Sequence, residues 1–312
     1  MSVTPSLSTQ NVIAQSSSQS SSSVPRDGMA DWRVRMELFP DDEPSGRARR
    51  RRLQWSELML WVLPLPLLVL LVLPMAALVW RAFADGALSA DGTTALRQAM
   101  SLTLRTSLIS TVLIVVTGTP LAYALARREF AGRRAVDVVV DLPIVLPPSV
   151  AGIALLLAFG RNGVLGQWLN DLGITVGFTT AAVVMAQCFV SAPFYVRAAA
   201  ASLQRVNRDV EDAAADLGAS AWHRFRTVTL PIAFPGILAG IVLAWARAVG
   251  EFGATIMFAG NFPGITRTMP LAIYSAYGGG DLSTAVLLSA ALLLAAAATL
   301  AGVRWAAGRE MR

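Results

Sequence analysis

The sequence contains no lysine. All 26 of its basic residues are arginine, and cysteine (Cys188) and histidine (His223) occur once each. Without lysine the chain cannot hold a Walker A phosphate loop, whose lysine reaches the nucleotide phosphates. One cysteine and one histidine are too few ligands for a thiolate or imidazole metal site, and they exclude a disulfide within the chain. We therefore expect no catalytic residue, no metal and no bound cofactor.

Charge is scarce and apolar residues are abundant. Hydrophobic residues make up 54% of the 312 positions and charged residues only 15%, so the bilayer is the expected solvent. At 1.5 Å per residue, six apolar stretches are long enough to cross a hydrocarbon layer of roughly 30 Å. The third apolar stretch contains prolines, and the alternative to a full span there is a re-entrant or interfacial segment. The sequence predicts an all-α polytopic protein with transmembrane helices at about 61–83, 106–126, 142–160, 179–202, 232–258 and 283–303.

The N-terminal region differs from the rest. Residues 1–55 are polar, with a Ser/Gln-rich run and several prolines, and they lack the apolar periodicity of a core. We expect them to form a disordered cytoplasmic tail, followed by a transmembrane domain at 56–312.

Arginines near the ends of the apolar stretches predict the orientation. Sixteen lie on one side, whereas the other side has only five, Arg81, Arg97, Arg105, Arg161 and Arg267. Because basic residues resist translocation, this asymmetry places both termini and the loop at about 203–231 in the cytoplasm. It also accounts for the net charge of +6 without nucleic acid.

The loop at 203–231 is predicted to contain two short helices. Asp209 is expected to cap the first, and Gly218 to end it with a positive φ. Ser220 is expected to cap the second, and Pro231 to break the chain before the fifth span. A slender helix held at the membrane surface between two spans suits a groove on a soluble partner.

Part of this loop has a regular spacing of residue types. An acidic residue and two alanines are followed by three residues, a glycine, nine residues, and then Val-x-Leu-Pro. This spacing resembles the EAA loop of ABC-importer permeases. Aspartate replaces the usual glutamate and valine the usual isoleucine, and an ordinary Ala-rich connector is the alternative. The positions that carry the resemblance are Asp212, Ala213, Ala214, Gly218, Val228, Leu230 and Pro231.

The resemblance implies an assembly. In that family the loop forms a coupling helix seated on a separate ATPase, which uses ATP and Mg. It also implies a second copy of the chain, two ATP-binding subunits and an extracytoplasmic oxyanion-binding protein. This chain would be the transport subunit in the bacterial inner membrane.

The fifth predicted span carries a stripe of small residues and a charged pair. Gly236, Gly240 and two alanines recur every four residues, which lets another helix approach closely. Arg247 and Glu251 are four residues apart and can pair. An unpaired Arg near the bilayer centre costs about 2.5 to 3.5 kcal/mol on insertion scales. The pair is either a structural lock or a gating element of an anion route.

A tetrahedral oxyanion needs hydrogen-bond donors that hold it weakly enough for release. Ser149, Thr255 and Asn261 are candidates for this route, together with Arg247 and Glu251. A Ser or Thr in a membrane helix more often bonds its own backbone, which is the alternative for each hydroxyl.

The run at 250–274, which begins Gly250-Glu251-Phe252-Gly253, resembles the molybdate branch of these permeases, and 142–148 and 159–166 support that resemblance. The similarity covers about 100–303 and implies import of molybdate or tungstate. The alternative within the class is a sulfate or thiosulfate permease. A secondary transporter would be expected to show internal repeats and ionisable groups, and neither is found beyond the Arg247 and Glu251 pair.

Overall fold

Every regular element in the described part of the chain is helical. The computed structural model describes residues 59–84 and 90–310, and the predicted tail at 1–55 lies outside the described residues. A π-helical turn spans Phe225–Thr229. In chain order the helices are α1 (Leu65–Ala84), α2 (Ala90–Arg127), α3 (Arg133–Val145), α4 (Pro148–Phe159), α5 (Gly166–Asp171), α6 (Thr180–Arg205), α7 (Arg208–Asp216), α8 (Ala221–Arg224), α9 (Leu230–Val249), α10 (Gly253–Phe258), α11 (Met269–Gly278) and α12 (Leu282–Glu310).

The described residues belong to two units, one that ends at Val69 and one that begins at Leu70. In the first unit, the described residues 59–69 are apolar and almost all exposed. The second unit contains the buried core, which lies mainly among α2, α6 and α9.

Within the described residues, five helical segments are long and apolar enough to cross a membrane. They are Met59–Ala84, Gly92–Arg127, Thr180–Arg205, Ala221–Val249 and Leu282–Gly302. The pair formed by α3 and α4 passes the same test together, which gives up to six spans. The predicted all-α membrane architecture is therefore confirmed.

The third predicted span is not a straight helix. α3 and α4 meet at an angle of 119°, as in a broken span or a re-entrant loop. The bend falls at Leu146 and Pro147, whose backbones are extended, with ψ of 132° and 135°. Proline lacks the N–H of a helix interior and disfavours helical geometry in the residue before it. Two adjacent prolines, Pro147 and Pro148, therefore end one helix and begin the next.

The second predicted span, 106–126, is much shorter than the helix that contains it. α2 begins at Ala90, and its N-terminal and central turns carry buried hydroxyl residues that lower the hydropathy of the sequence. Each hydroxyl bonds a carbonyl one turn earlier; Thr103 Oγ1, for example, lies 2.8 Å from the Ala99 oxygen. Ser110 Oγ also lies 2.9 Å from Gln187 Oε1 of α6, so the polar stripe reaches both helices.

The small-residue stripe of α9 packs against α6, as predicted. A Cβ atom added at Gly236 would lie 2.4 Å from Ser202 Oγ and 2.5 Å from its Cβ. One added at Gly240 would lie 2.9 Å from Ala198 Cβ. The two helices are closer than any larger side chain permits.

Replacing Gly236 by valine is expected to destabilise the protein, because its side chain would overlap Ser202. Overpacking of this kind typically costs about 1 to 3 kcal/mol. The midpoint of thermal unfolding in detergent should fall for Gly236→Val and stay unchanged for Ala239→Val, since Ala239 lies on the exposed side of α9. Equal midpoints for the two variants would show that this contact does not hold α6 and α9 together.

Candidate functional site

The first short helix of the loop, α7, has well-formed ends. Its N-cap is Asn207, whose Oδ1 accepts the Asp209 N–H at 3.0 Å, so the prediction of Asp209 as the cap was wrong. Asn207 adopts the extended conformation that a cap requires, and Asp209 falls in the first turn. Gly218 has φ of 85°, which confirms the predicted positive value. The Ala219 N–H reaches the Ala214 oxygen at 3.0 Å, closing a Schellman motif.

The second short helix runs directly into the following span. Ser220 Oγ accepts the His223 N–H at 3.3 Å, which confirms that cap. Pro231 was predicted to break the chain, but Ala221–Val249 is continuous. The π-helical turn Phe225–Thr229 just before it explains why. A wider turn tolerates the missing N–H and the ring of proline without ending the helix.

A partly buried set of polar contacts anchors α7 to the bundle. Arg127 Nη2, at the end of α2, donates to the Val206 oxygen at 2.8 Å and to Glu211 Oε1 at 3.3 Å. Thr229 Oγ1 donates to the same Glu211 oxygen at 2.5 Å. Glu211 thus connects α7 to the end of α2 and to the start of the span containing α9, and Arg127 also reaches the end of α6.

The other side of α7 is exposed and apolar. Val210, Ala213 and Leu217 follow at intervals of three and four residues and form one ridge, which we call the α7 ridge. Leu217 is 90% exposed at its tip. The α7 ridge therefore leaves apolar surface open to contact.

The predicted coupling residues divide between the two sides of this loop. Asp212, Ala213 and Gly218 are exposed, and so is Pro231 at the foot of the span. Ala214, Val228 and Leu230 are half-buried. Leu230 packs against the core of α2, α6 and α9, so the second group supports the loop from within.

Two broken helices meet at a second location. α4 begins after the proline break and α10 begins after the break at Gly250 to Phe252. A Cβ atom added at Gly253 would lie 2.6 Å from Pro148 Cβ, and one added at Gly152 would lie 2.7 Å from the Ala254 oxygen. We call this contact the half-helix junction. It exists only because both positions are glycine.

The predicted pair of Arg247 and Glu251 is formed, but not on one helix. α9 ends at Val249, and Glu251 lies beyond the cap residue Gly250. Arg247 Nη1 is 2.8 Å from Glu251 Oε2, and Glu251 Oε1 accepts the Ala254 N–H at 2.8 Å. Glu251 is 1% exposed and therefore connects the end of α9 to the first turn of α10.

The remaining pathway candidates have different environments. Ser149 is exposed at the half-helix junction, beside Gly253. Thr255 is buried on α10, and its hydroxyl finds no hydrogen-bond partner within the described residues. Asn261 lies further along the chain and bonds Ser275 Oγ at 2.7 Å and Arg267 Nε at 2.9 Å. The junction therefore gathers Ser149, Glu251 and Thr255, whereas Asn261 braces the loop before α11.

An ion cluster that was not predicted joins α3 to α6. Arg197 donates from Nε and Nη2 to both Asp141 carboxylate oxygens, at 2.6 and 2.7 Å, and from Nη1 to Asp137 Oδ1 at 2.7 Å. The spacing of Asp137 and Asp141, four residues apart, is the only signal for it in the sequence. Charged groups in a membrane span are normally paired in this way.

Arg197→Gln is expected to lower the yield of folded protein, because it leaves two aspartates without a cation in a membrane segment. Adding Asp137→Asn and Asp141→Asn to the same variant should restore much of that yield. The monodisperse fraction on size-exclusion chromatography measures both effects. If the triple variant folds no better than Arg197→Gln, unpaired charge is not the cause.

Together these features define a helical membrane protein, with an exposed loop between two spans and broken helices within the bundle. The family described as binding-protein-dependent transport system inner membrane component matches residues 118–307. The chain belongs to this family of ABC-importer permeases, in the branch that contains the molybdate and sulfate permeases.

Two curated relatives represent this branch. The molybdenum transport system permease protein ModB of Mycobacterium tuberculosis is 48% identical over 176 residues, which cover 56% of this chain and 67% of the relative. The probable sulfate transport system permease protein cysT of Nephroselmis olivacea is 36% identical over 261 residues, covering 82% and 90%.

Solved structures share the fold. A bacterial ABC transporter involved in the import of alginate matches with a TM-score of 0.59 and 18% identity, covering 85% of this chain and 96% of that chain. The MetNI methionine ABC transporter in an inward-facing conformation matches with a TM-score of 0.59 and 19% identity, covering 72% and 100%.

Proposed function

We propose that this chain is the permease subunit of an ATP-driven importer of molybdate, with tungstate as a second substrate. The observation that carries the proposal is α7. It presents an exposed apolar ridge on one side, and on the other side Glu211 ties it to Arg127 at the end of α2 and to Thr229 just before α9. A docking element with that connection converts movement of a soluble partner into movement of the bundle.

The partner on the α7 ridge is a separate ATPase, which binds ATP and Mg. The arginine asymmetry supports a cytoplasmic loop and cytoplasmic termini. The chain has no lysine for a Walker A loop. Energy from ATP therefore has to enter through contact with another subunit, and the α7 ridge is the exposed surface suited to that contact.

The working assembly is a homodimer with two ATPases on one side and an oxyanion-binding protein on the other. One chain provides one docking loop, and two ATPases need two loops, so a symmetric pair is the simplest arrangement. Closure of the ATPases moves α7 and shifts the bundle between inward and outward openings. No covalent chemistry takes place in this chain.

The half-helix junction is the proposed gate region of the pathway. Broken helices in membrane proteins occur where backbone lines a cavity or a transport route. Ser149 is exposed there, and Glu251 is neutralised by Arg247, so the junction offers a hydroxyl without a strong charge. A dianion would be held weakly enough to leave again.

Sulfate is the second candidate substrate. The cysT relative covers more of this chain than ModB does, 82% against 56%, although its identity is lower, 36% against 48%. The ModB relatives and the run at 250–274 favour molybdate.

Competition uptake distinguishes the two substrates. The permease, its ATPase and its binding protein are reconstituted in proteoliposomes, and ATP-driven uptake of radioactive molybdate is measured against unlabelled tungstate or sulfate. We expect tungstate to compete at concentrations close to those of molybdate, and sulfate to require at least about a hundredfold more. Equal competition by sulfate, with preferential uptake of labelled sulfate, would assign the chain to sulfate import instead.

A further inference from the structure

A groove of about 520 Å³ runs along one end of α2 and reaches α8 and the π-helical turn. Its walls include Val115, Val116, Pro120 and Tyr123 of α2. Trp222 and Phe225 form the opposite wall, with ring centroids 5.7 Å apart in a stacked arrangement. Trp222 is 68% exposed. The groove therefore has an apolar, partly aromatic lining that remains open to the surroundings.

The polarity of the groove changes along its length. Val115 and Val116 lie at one end, and Arg128, just past the end of α2, lies at the other. Twelve to thirteen residues at 1.5 Å each give about 18 to 20 Å of helix. Half of a hydrocarbon layer measures roughly 15 Å. The groove thus has the depth of one membrane leaflet, with Tyr123 and Trp222 towards its polar end, where such rings prefer to lie.

Arg128 provides the charge at that end. Its side chain is exposed and forms no hydrogen bond or ion pair within the described residues, and Glu129, the next residue, does not pair with it. Arg127, by contrast, forms a salt bridge with Glu211. An arginine without a partner above an apolar groove is complementary to a phosphate attached to an acyl chain.

We propose that this groove binds one anionic glycerophospholipid. The phosphate contacts Arg128, and an acyl chain lies along Val115, Val116 and Pro120 against the rings of Trp222 and Phe225. A transmembrane helix of another protein would fill the apolar part but would leave Arg128 without an anion. The occupied groove would hold α8 and the π-helical turn, the segment that connects α7 to α9. The proposal requires neither a direction of insertion nor an ATPase.

Quenching of Trp222 fluorescence by brominated lipid tests the site. The full chain is placed in phosphatidylcholine nanodiscs with increasing fractions of brominated phosphatidylglycerol or, in a parallel series, brominated phosphatidylcholine. The chain contains eight tryptophans, so the Trp222 signal is the difference between the wild type and Trp222→Phe. We expect half-maximal quenching at a mole fraction about fivefold lower for phosphatidylglycerol than for phosphatidylcholine.

Two variants connect that preference to the groove. Arg128→Gln should abolish it, whereas Arg134→Gln, which removes another exposed arginine outside the groove, should preserve it. Equal quenching by the two lipids, absence of quenching by either, or equal loss in both variants would overturn the proposal. Displacement of the lipid by millimolar inorganic phosphate would also overturn it, since it would identify a site for free anions. Circular dichroism confirms that the variants remain folded.

Discussion

Leu217→Asp is expected to abolish ATP-driven uptake while leaving the membrane domain folded. Leu217 is 90% exposed at the tip of the α7 ridge, so the change removes no internal packing. On the proposed docking surface, a carboxylate would be buried against an apolar groove without a partner. Loss of a central apolar anchor typically costs 2 kcal/mol or more, which weakens association by about thirtyfold or more. Binding of the purified ATPase to the reconstituted permease measures the effect, and uptake should fall with it.

Matched variants make this result specific. Leu217→Met keeps an apolar side chain of similar volume and should bind the ATPase normally. Val164→Asp introduces the same charge at a residue that is 85% exposed but lies in the loop between α4 and α5, away from α7, and should leave ATPase binding unchanged. Normal ATPase binding by Leu217→Asp would contradict the assignment of the α7 ridge.

Glu251→Ala is expected to cause the largest loss of folded protein. The buried carboxylate contacts Arg247 and accepts the Ala254 N–H, so its removal leaves a cation without its partner and the start of α10 without its acceptor. Breaking a buried ion pair by removing one partner costs about 3 to 5 kcal/mol. The thermal midpoint and the monodisperse yield should both fall sharply.

The double variant Arg247→Gln and Glu251→Gln distinguishes a lock from a gate. It removes both charges but keeps an oxygen for the Ala254 N–H. Because Glu251 joins α9 to α10, we expect the pair to be mainly a structural lock, so the double variant should fold and retain most of its uptake. A folded double variant without uptake would instead show that the charges act on the transported anion.

The sequence predicts the helical membrane architecture well because hydropathy over 20 residues is an average that local detail barely disturbs. Prediction from the sequence fails where a single residue determines the backbone geometry. Pro147 and Pro148 bend the third span by 119°, whereas Pro231 leaves its helix continuous because a π-helical turn precedes it. Both sites contain proline, and only the surrounding backbone determines which outcome occurs.

The same limit applies to the loop that carries α7. The sequence predicts its local features but not its contacts with distant parts of the chain. The spacing from Asp212 to Gly218 predicts the end of α7. The positive φ of Gly218 follows from the ease with which glycine adopts that conformation. The contacts of Glu211 with Arg127 and Thr229 join positions 84 and 18 residues apart, and no local pattern reports such pairs. The cluster of Arg197, Asp137 and Asp141 was missed because the helices that carry it become neighbours only in the folded bundle.

The central claim is that ATP, acting through another subunit, drives an oxyanion through this chain. Uptake of radioactive molybdate into proteoliposomes tests it most directly, with ATP, with a non-hydrolysable analogue, or with an imposed ion gradient and no ATPase. We predict uptake only with ATP and only when the ATPase is present. Uptake driven by an ion gradient in the absence of ATP and of the ATPase would contradict the claim and identify a secondary transporter.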